Sequence, residues 1–103
     1  MPRRVDVDEL NQIARLFSSG STVRAVCQAI GCGQVSLYQR IRRNSAYIVS
    51  RLNPSKYTTL KHMLDKNKPT STIAITIDLP ETLINEARKL VKANDYPPPS
   101  EKR

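Results

Sequence analysis

The sequence predicts a mainly α chain: an N-terminal helical domain, then one β-strand and a helix that form an intermolecular antiparallel ribbon in a dimer. Three observations predict it. Residues 21–43, STVRAVCQAIGCGQVSLYQRIRR, put Val23, Val26, Cys27 and Ile30 at helical spacing, break at Gly31 and Gly33, and resume with Val35, Leu37, Tyr38 and Ile41. Residues 72–78, TIAITID, instead alternate, with Ile73, Ile75 and Ile77 on one side and β-branched residues at almost every position. After Pro80, the residues Leu83, Ile84, Ala87, Leu90 and Val91 return to helical spacing. The division that follows is a helical domain over 1–67, a strand-helix dimerisation element over 71–93 and a disordered tail over 94–103.

Each element has local support. A first helix runs from about Asp6 or Asp8 to Ser18, with Val7, Leu10, Ile13, Ala14, Leu16 and Phe17 as its apolar face and Asp6, Asp8 and Glu9 at the positive end of its dipole. The run 18–20, Ser-Ser-Gly, ends it, and the basic start with Arg3 and Arg4 precedes it as a frayed terminus or an arm reaching a phosphate backbone. Ser21 is the expected N-cap of the next helix, and Gly31 supplies the residue that tolerates positive φ at its end. Asn44-Ser45 permits a further helix carrying Tyr47, Ile48 and Leu52. Pro54 suits the first turn of another, to about Lys66, that buries Tyr57, Leu60, Met63 and Leu64. Residues 67–71, NKPTS, have linker composition. A lone strand at 72–78 leaves its edges unpaired, and the simplest partner is the same strand of a second copy. Asp78 is placed to cap the last helix and Pro80 suits its first turn. Two copies of that helix would close over the Ile face, so Ile73, Ile75, Ile77, Leu83, Ile84, Ala87, Leu90 and Val91 are the candidate dimerisation residues.

Composition narrows the partners. The chain has 103 residues and a net charge of +8, which favours a polyanion. From Arg40 to Lys68 there are eight basic residues and one acid, Asp65. No apolar run approaches the roughly 18 residues that span a bilayer, and residues 1–10 lack the apolar core of a signal peptide; the expected setting is a bacterial cytoplasm. Cys27 and Cys32 are read as reduced thiols, since a disulfide framework does not fit that setting. With His62 the sole histidine, neither a zinc site nor a His-based catalytic centre is expected, and no glycine-rich phosphate loop is present. The reading is of a non-enzyme with no cofactor, no metal and no evident small-molecule ligand.

Two short helices across a glycine-containing turn form the helix-turn-helix unit, and residues 21–43 resemble the helix-turn-helix superfamily. The likeness rests on small Cys27, apolar Ile30, turn Gly31 and buried Leu37 and Ile41 at the family's spacings. Arg40 departs from it, standing where many members carry an aliphatic residue. The register implied by that resemblance puts Gln34, Val35, Tyr38 and Gln39 on base edges, where a Gln amide can pair with adenine and Val35 can touch a thymine methyl. For Tyr38, burial of the ring against the scaffold competes with a DNA contact. Ser21, Thr22 and Arg24 at the entrance, with Arg40, Arg42 and Arg43 at the exit, are the candidate phosphate contacts, which position without specifying sequence. Residues 37–52, LYQRIRRNSAYIVSRL, also look like the helix-turn-helix of phage terminase small subunits. The run ITIDLPETLINEARKLV resembles the opening of ribbon-helix-helix (MetJ/Arc type) repressors, which would make Thr72, Ala74 and Thr76 readers; the second helix of that fold is missing. The overall layout is similar to KorA/TrfB-type plasmid repressors. Together these imply a sequence-specific, homodimeric transcriptional repressor of double-stranded DNA with a palindromic operator. A terminase-like packaging protein and an antitoxin-type DNA-binding protein are the alternatives.

Overall fold

The computed structural model describes residues 7–99, and their helix ends follow from a few residues that cap or tolerate a left-handed backbone. Helix α1 (Val7–Ser18) ends in Gly20, α2 (Val23–Ile30) in Gly31, α5 (Pro54–Asp65) in Asn67, α6 (Thr70–Ile77) in Asp78 and α7 (Glu81–Lys92) in Asn94. All five have positive φ, between 57° and 90°, the region that favours Gly, Asn and Asp. Between them, α3 (Gln34–Arg43) runs almost directly into the short α4 (Ser45–Ser50). No strand occurs among the described residues. The basic arm at Arg3 and Arg4, the acid Asp6 and residues 100–103 of the tail lie outside them.

The first helix is fastened at several points. Leu10, Ile13, Ala14 and Phe17 are buried, and α1 packs on α2 and α4. Its polar side is tied to the rest of the chain. Tyr47 donates to Asn11 Oδ1 at 2.9 Å, the Asn53 amide donates to Ser18 Oγ at 2.9 Å, and Lys56 Nζ donates to the Phe17 carbonyl at 3.0 Å. The last contact sets a cation at the negative end of a helix dipole. Asn53 also caps α5, accepting from the Lys56 amide at 2.8 Å, with Pro54 in the first turn.

The strand expected at 72–78 is a helix. At about 100° per residue, positions four apart share a face and positions two apart do not. Accordingly Ile73 and Ile77 are buried, whereas Ile75 is 84% exposed. The threonines that argue for a strand are accommodated: Thr76 Oγ1 donates to the Thr72 carbonyl at 2.8 Å, one turn back. Pro69 stands at the N-cap, and Asp78 closes the C-terminal end of α6 with its amide on the Ala74 carbonyl at 2.9 Å, rather than capping α7. Residues 70 and 71 of the expected linker are helical.

The intermolecular ribbon goes with the strand. Helix α6 packs on α5 and α7 of the same chain, and α7 also packs on α3, α4 and α5. Leu83, Ile84 and Ala87 are fully buried there, while Leu90 and Val91 are half-buried. Five of the eight candidate dimerisation residues thus fill the core of one copy. Beyond α7, Tyr96 docks on α5, its ring 5.3 Å from that of Tyr57 and its hydroxyl donating to the Tyr57 carbonyl at 3.2 Å. Tyr57 in turn donates to the Pro97 carbonyl. Burial pushes the Tyr96 phenol well above its ordinary value and the Tyr57 phenol up as well.

Two outcomes follow. Ile73→Ala should cost about 2–5 kcal/mol as a core truncation, while Ile75→Asp should stay within about 0.5 kcal/mol. Urea unfolding reads both, and equal losses would restore the strand. Stability should also fall in alkali. Unfolded Tyr96 ionises near its ordinary value of 10.0 while the folded, buried phenol keeps its proton, so this contribution is full below that pH and is lost as pH rises towards the folded value. Tyr96→Phe should flatten that alkaline decline.

Candidate nucleic-acid interface

The site is built from how α2 and α3 are set. Thr22, not Ser21, is the N-cap of α2, its side chain accepting from the Ala25 amide at 3.1 Å. At the other end, Gly31 lies at φ 73°, and both its amide and that of Cys32 donate to the Cys27 carbonyl, at 2.8 and 3.1 Å. A Cβ on Gly31 would meet nothing within 4 Å, so glycine is favoured here by the backbone angle and not by crowding. Gly33 then precedes α3 in an extended conformation and offers no side-chain cap.

Leu37 and Ile41 are fully buried and fix which side of α3 faces inward. The opposite side carries Val35, Gln39, Arg42 and Arg43, all exposed, and Val35 is 72% so. Gln34 and Ser36 are exposed beside them. Tyr38 is half-buried and its ring packs on the core, so much of it serves the scaffold. An exposed valine at the head of a helix has no packing role to explain it.

The candidate phosphate residues divide. Arg24, Arg42 and Arg43 are exposed, Thr22 is exposed with its oxygen engaged as a cap, and Ser21 is half-buried. Arg40 is different: its Nε lies 2.6 Å from Glu9 Oε1, joining α3 to α1. That contact gives Arg40 a structural partner within the chain. Arg42 also lines a cleft of about 430 Å³ with Asn85, Glu86, Arg88, Lys89 and Lys92 of α7. Sequence reasoning missed Lys89 and Lys92 here because it assigned α7 to a separate element. The spacing of these lysines away from the Leu83, Ile84 and Ala87 stripe was the available signal.

Cys27 is buried and Cys32 half-buried, both as free thiols. Burial pushes the Cys32 thiol up, with the Arg40 charge pulling the other way, so the turn holds no activated thiolate. Among the described residues no group of three or more His, Cys, Asp or Glu converges on a point, and no helix is long and apolar enough to cross a membrane. No protein-family model matches this chain, and no curated protein or solved structure matches it either.

Proposed function

We propose that this chain is a sequence-specific regulator that binds double-stranded DNA by laying α3 in the major groove. The observation that carries this reading is the outward face of α3. Val35 and Gln39 are exposed there and Gln34 in the exposed first turn, Arg42 and Arg43 are exposed at its exit, and Leu37 and Ile41 lock the helix from behind. A rigid helix is the right support for base reading, because a bidentate amide contact needs a fixed register. The glutamines supply paired donors and acceptors for adenine, and Val35 an apolar contact for a thymine methyl. The exposed arginines supply charge that holds the duplex without reading it. The chain's net charge of +8 agrees with a polyanionic partner. As a repressor it acts by occupying its site and excluding other proteins from the same groove.

Selection of bound duplexes from a random pool at near-physiological salt tests the reading. A defined consensus is expected; recovery of unrelated sequences would overturn sequence-specific recognition. A palindromic consensus would mean that two copies bind together, and a single half-site that one copy suffices. On the selected duplex, Gln34→Ala or Gln39→Ala should cost about 1–3 kcal/mol and relax preference at one position. Arg43→Ala should weaken all duplexes alike and reduce the salt slope by about 1. Silent glutamine variants would remove α3 as the reader.

A further inference from the structure

The cleft between α3 and α7 lies beside the reading face and shares only Arg42 with its phosphate contacts. One wall is Arg42, from the last turn of α3. The other is the side of α7 that carries Asn85, Lys89 and Lys92, turned away from the buried Leu83, Ile84 and Ala87. Four cations border it against one acid, Glu86.

These cations are not equivalent. Arg88 is committed to the turn before α6, donating to the Lys68 carbonyl at 2.6 Å, to Thr70 Oγ1 at 3.2 Å and to Asn67 Oδ1 at 3.3 Å. Lys89 lies 3.2 Å from Glu86 Oε2, but its side chain is 73% exposed. The Glu86 carboxylate is only 15% exposed, but with the ammonium itself in water the pair holds its lysine weakly and leaves it open to a second anion. Arg42 and Lys92 are exposed, and neither has an ion-pair partner among the described residues. The cleft therefore presents three available positive charges on two helices that pack directly on one another.

We propose that this cleft is a second contact to the sugar-phosphate backbone of duplex DNA, in which Arg42, Lys89 and Lys92 receive phosphates flanking the groove that α3 enters. The inference rests on the reading of α3 above, and it adds α7 to the interface. Charge complementarity and continuity argue for that occupant: the cleft opens from the exit of α3, where Arg42 and Arg43 already stand. Lysines act there as point charges that fix the approach of the duplex, so α7 contributes affinity and orientation but no base preference. Glu86 opposes this, holding Lys89 and repelling phosphate.

The test measures affinity of the full chain for the selected duplex and for an unrelated duplex of equal length, each across a range of salt. K89Q/K92Q should reduce the slope of log affinity against log salt by about 1 for each phosphate that the lysines no longer neutralise. It should weaken both duplexes by the same factor and leave the preference between them intact. Glu86→Gln should act in the opposite direction and tighten both. All the substituted side chains are partly or fully solvated, and an unchanged unfolding midpoint confirms that folding is not the cause. Wild-type slope and affinity in K89Q/K92Q, together with a wild-type chain that selects a consensus, would overturn the cleft alone. A wild-type chain that binds no duplex would overturn the α3 reading and the cleft with it.

Discussion

The burial of α7 is the constraint on which the rest of the molecule depends. Leu83, Ile84 and Ala87 are fully buried, and the helix that carries them packs on α3, α4, α5 and α6. The apolar stripe that looks spare in the sequence is the floor of the domain. Interiors are packed to the density of organic crystals, so a truncation in that stripe is transmitted to the back of α3. The α2–turn–α3 unit is consequently not a head on a tether. Helix α3 is held by packing against α7 and by the Glu9–Arg40 contact with α1.

The second organising feature is how the helices stop. Gly20, Gly31, Asn67, Asp78 and Asn94 each take a left-handed backbone. At four of them the next amide reaches back to a carbonyl five residues earlier: Ser21 to Leu16, Cys32 to Cys27, Lys68 to Met63 and Asp95 to Leu90. That reach satisfies carbonyls which a helix end leaves without partners. It also turns the chain sharply, which is how helices of eight to twelve residues can be folded over one another. Only the two glycines announce this role. Asn67 reads equally as the start of a linker and Asp78 as the N-cap of the following helix, because both residue types serve both ends.

Legibility in the sequence follows the same line. The bounds of α1, the α2–turn–α3 unit, α5 and α7 are readable, because each pairs an apolar stripe of one period with a strong stop signal. Residues 70–77 are not readable by period. Ile73 and Ile77 fit a helix as well as a strand, and Thr72, Thr76 and three isoleucines tilt propensity towards the strand. Burial decides the case. As a helix the segment sets Ile73 and Ile77 against α5 and α7 and leaves one side chain, Ile75, in water. As a strand it has no partner in its own chain, and unpaired backbone groups are costly. The lack of any other strand in the sequence is the physical warning. Supplying the missing partner from a second copy keeps the propensity and discards the warning. For the site, Val35 and Gln39 are legible because they lie opposite Leu37 and Ile41, and Gln34 because it stands in the exposed first turn of α3. The Glu9–Arg40 pair is not, because it spans 31 residues of sequence.

Net charge favours an anionic partner, and on the proposed reading the placement of the cations sets where it would approach. Several are spent on the fold itself. Arg40 is on Glu9, Lys56 on the end of α1, and Arg88 on the turn before α6. Lys61 bonds Asp65 at 2.9 Å and stands over the Tyr96 ring, and Arg51 stands over Tyr47. Carboxylates offset the charge of Arg40 and Lys61, while Lys56, Arg88 and Arg51 keep theirs but are held in place by the fold. Arg15, Arg24, Arg42, Arg43, Lys66, Lys68 and Lys92 are exposed and without ion-pair partners among the described residues. Of these, Arg24, Arg42, Arg43 and Lys92 sit on α2, α3 and α7, with α3 in contact with both of the others. On the proposed reading, phosphate contacts from α2, α3 and α7 would flank the helix that carries Gln39, so attraction and base reading would fall to neighbouring helices.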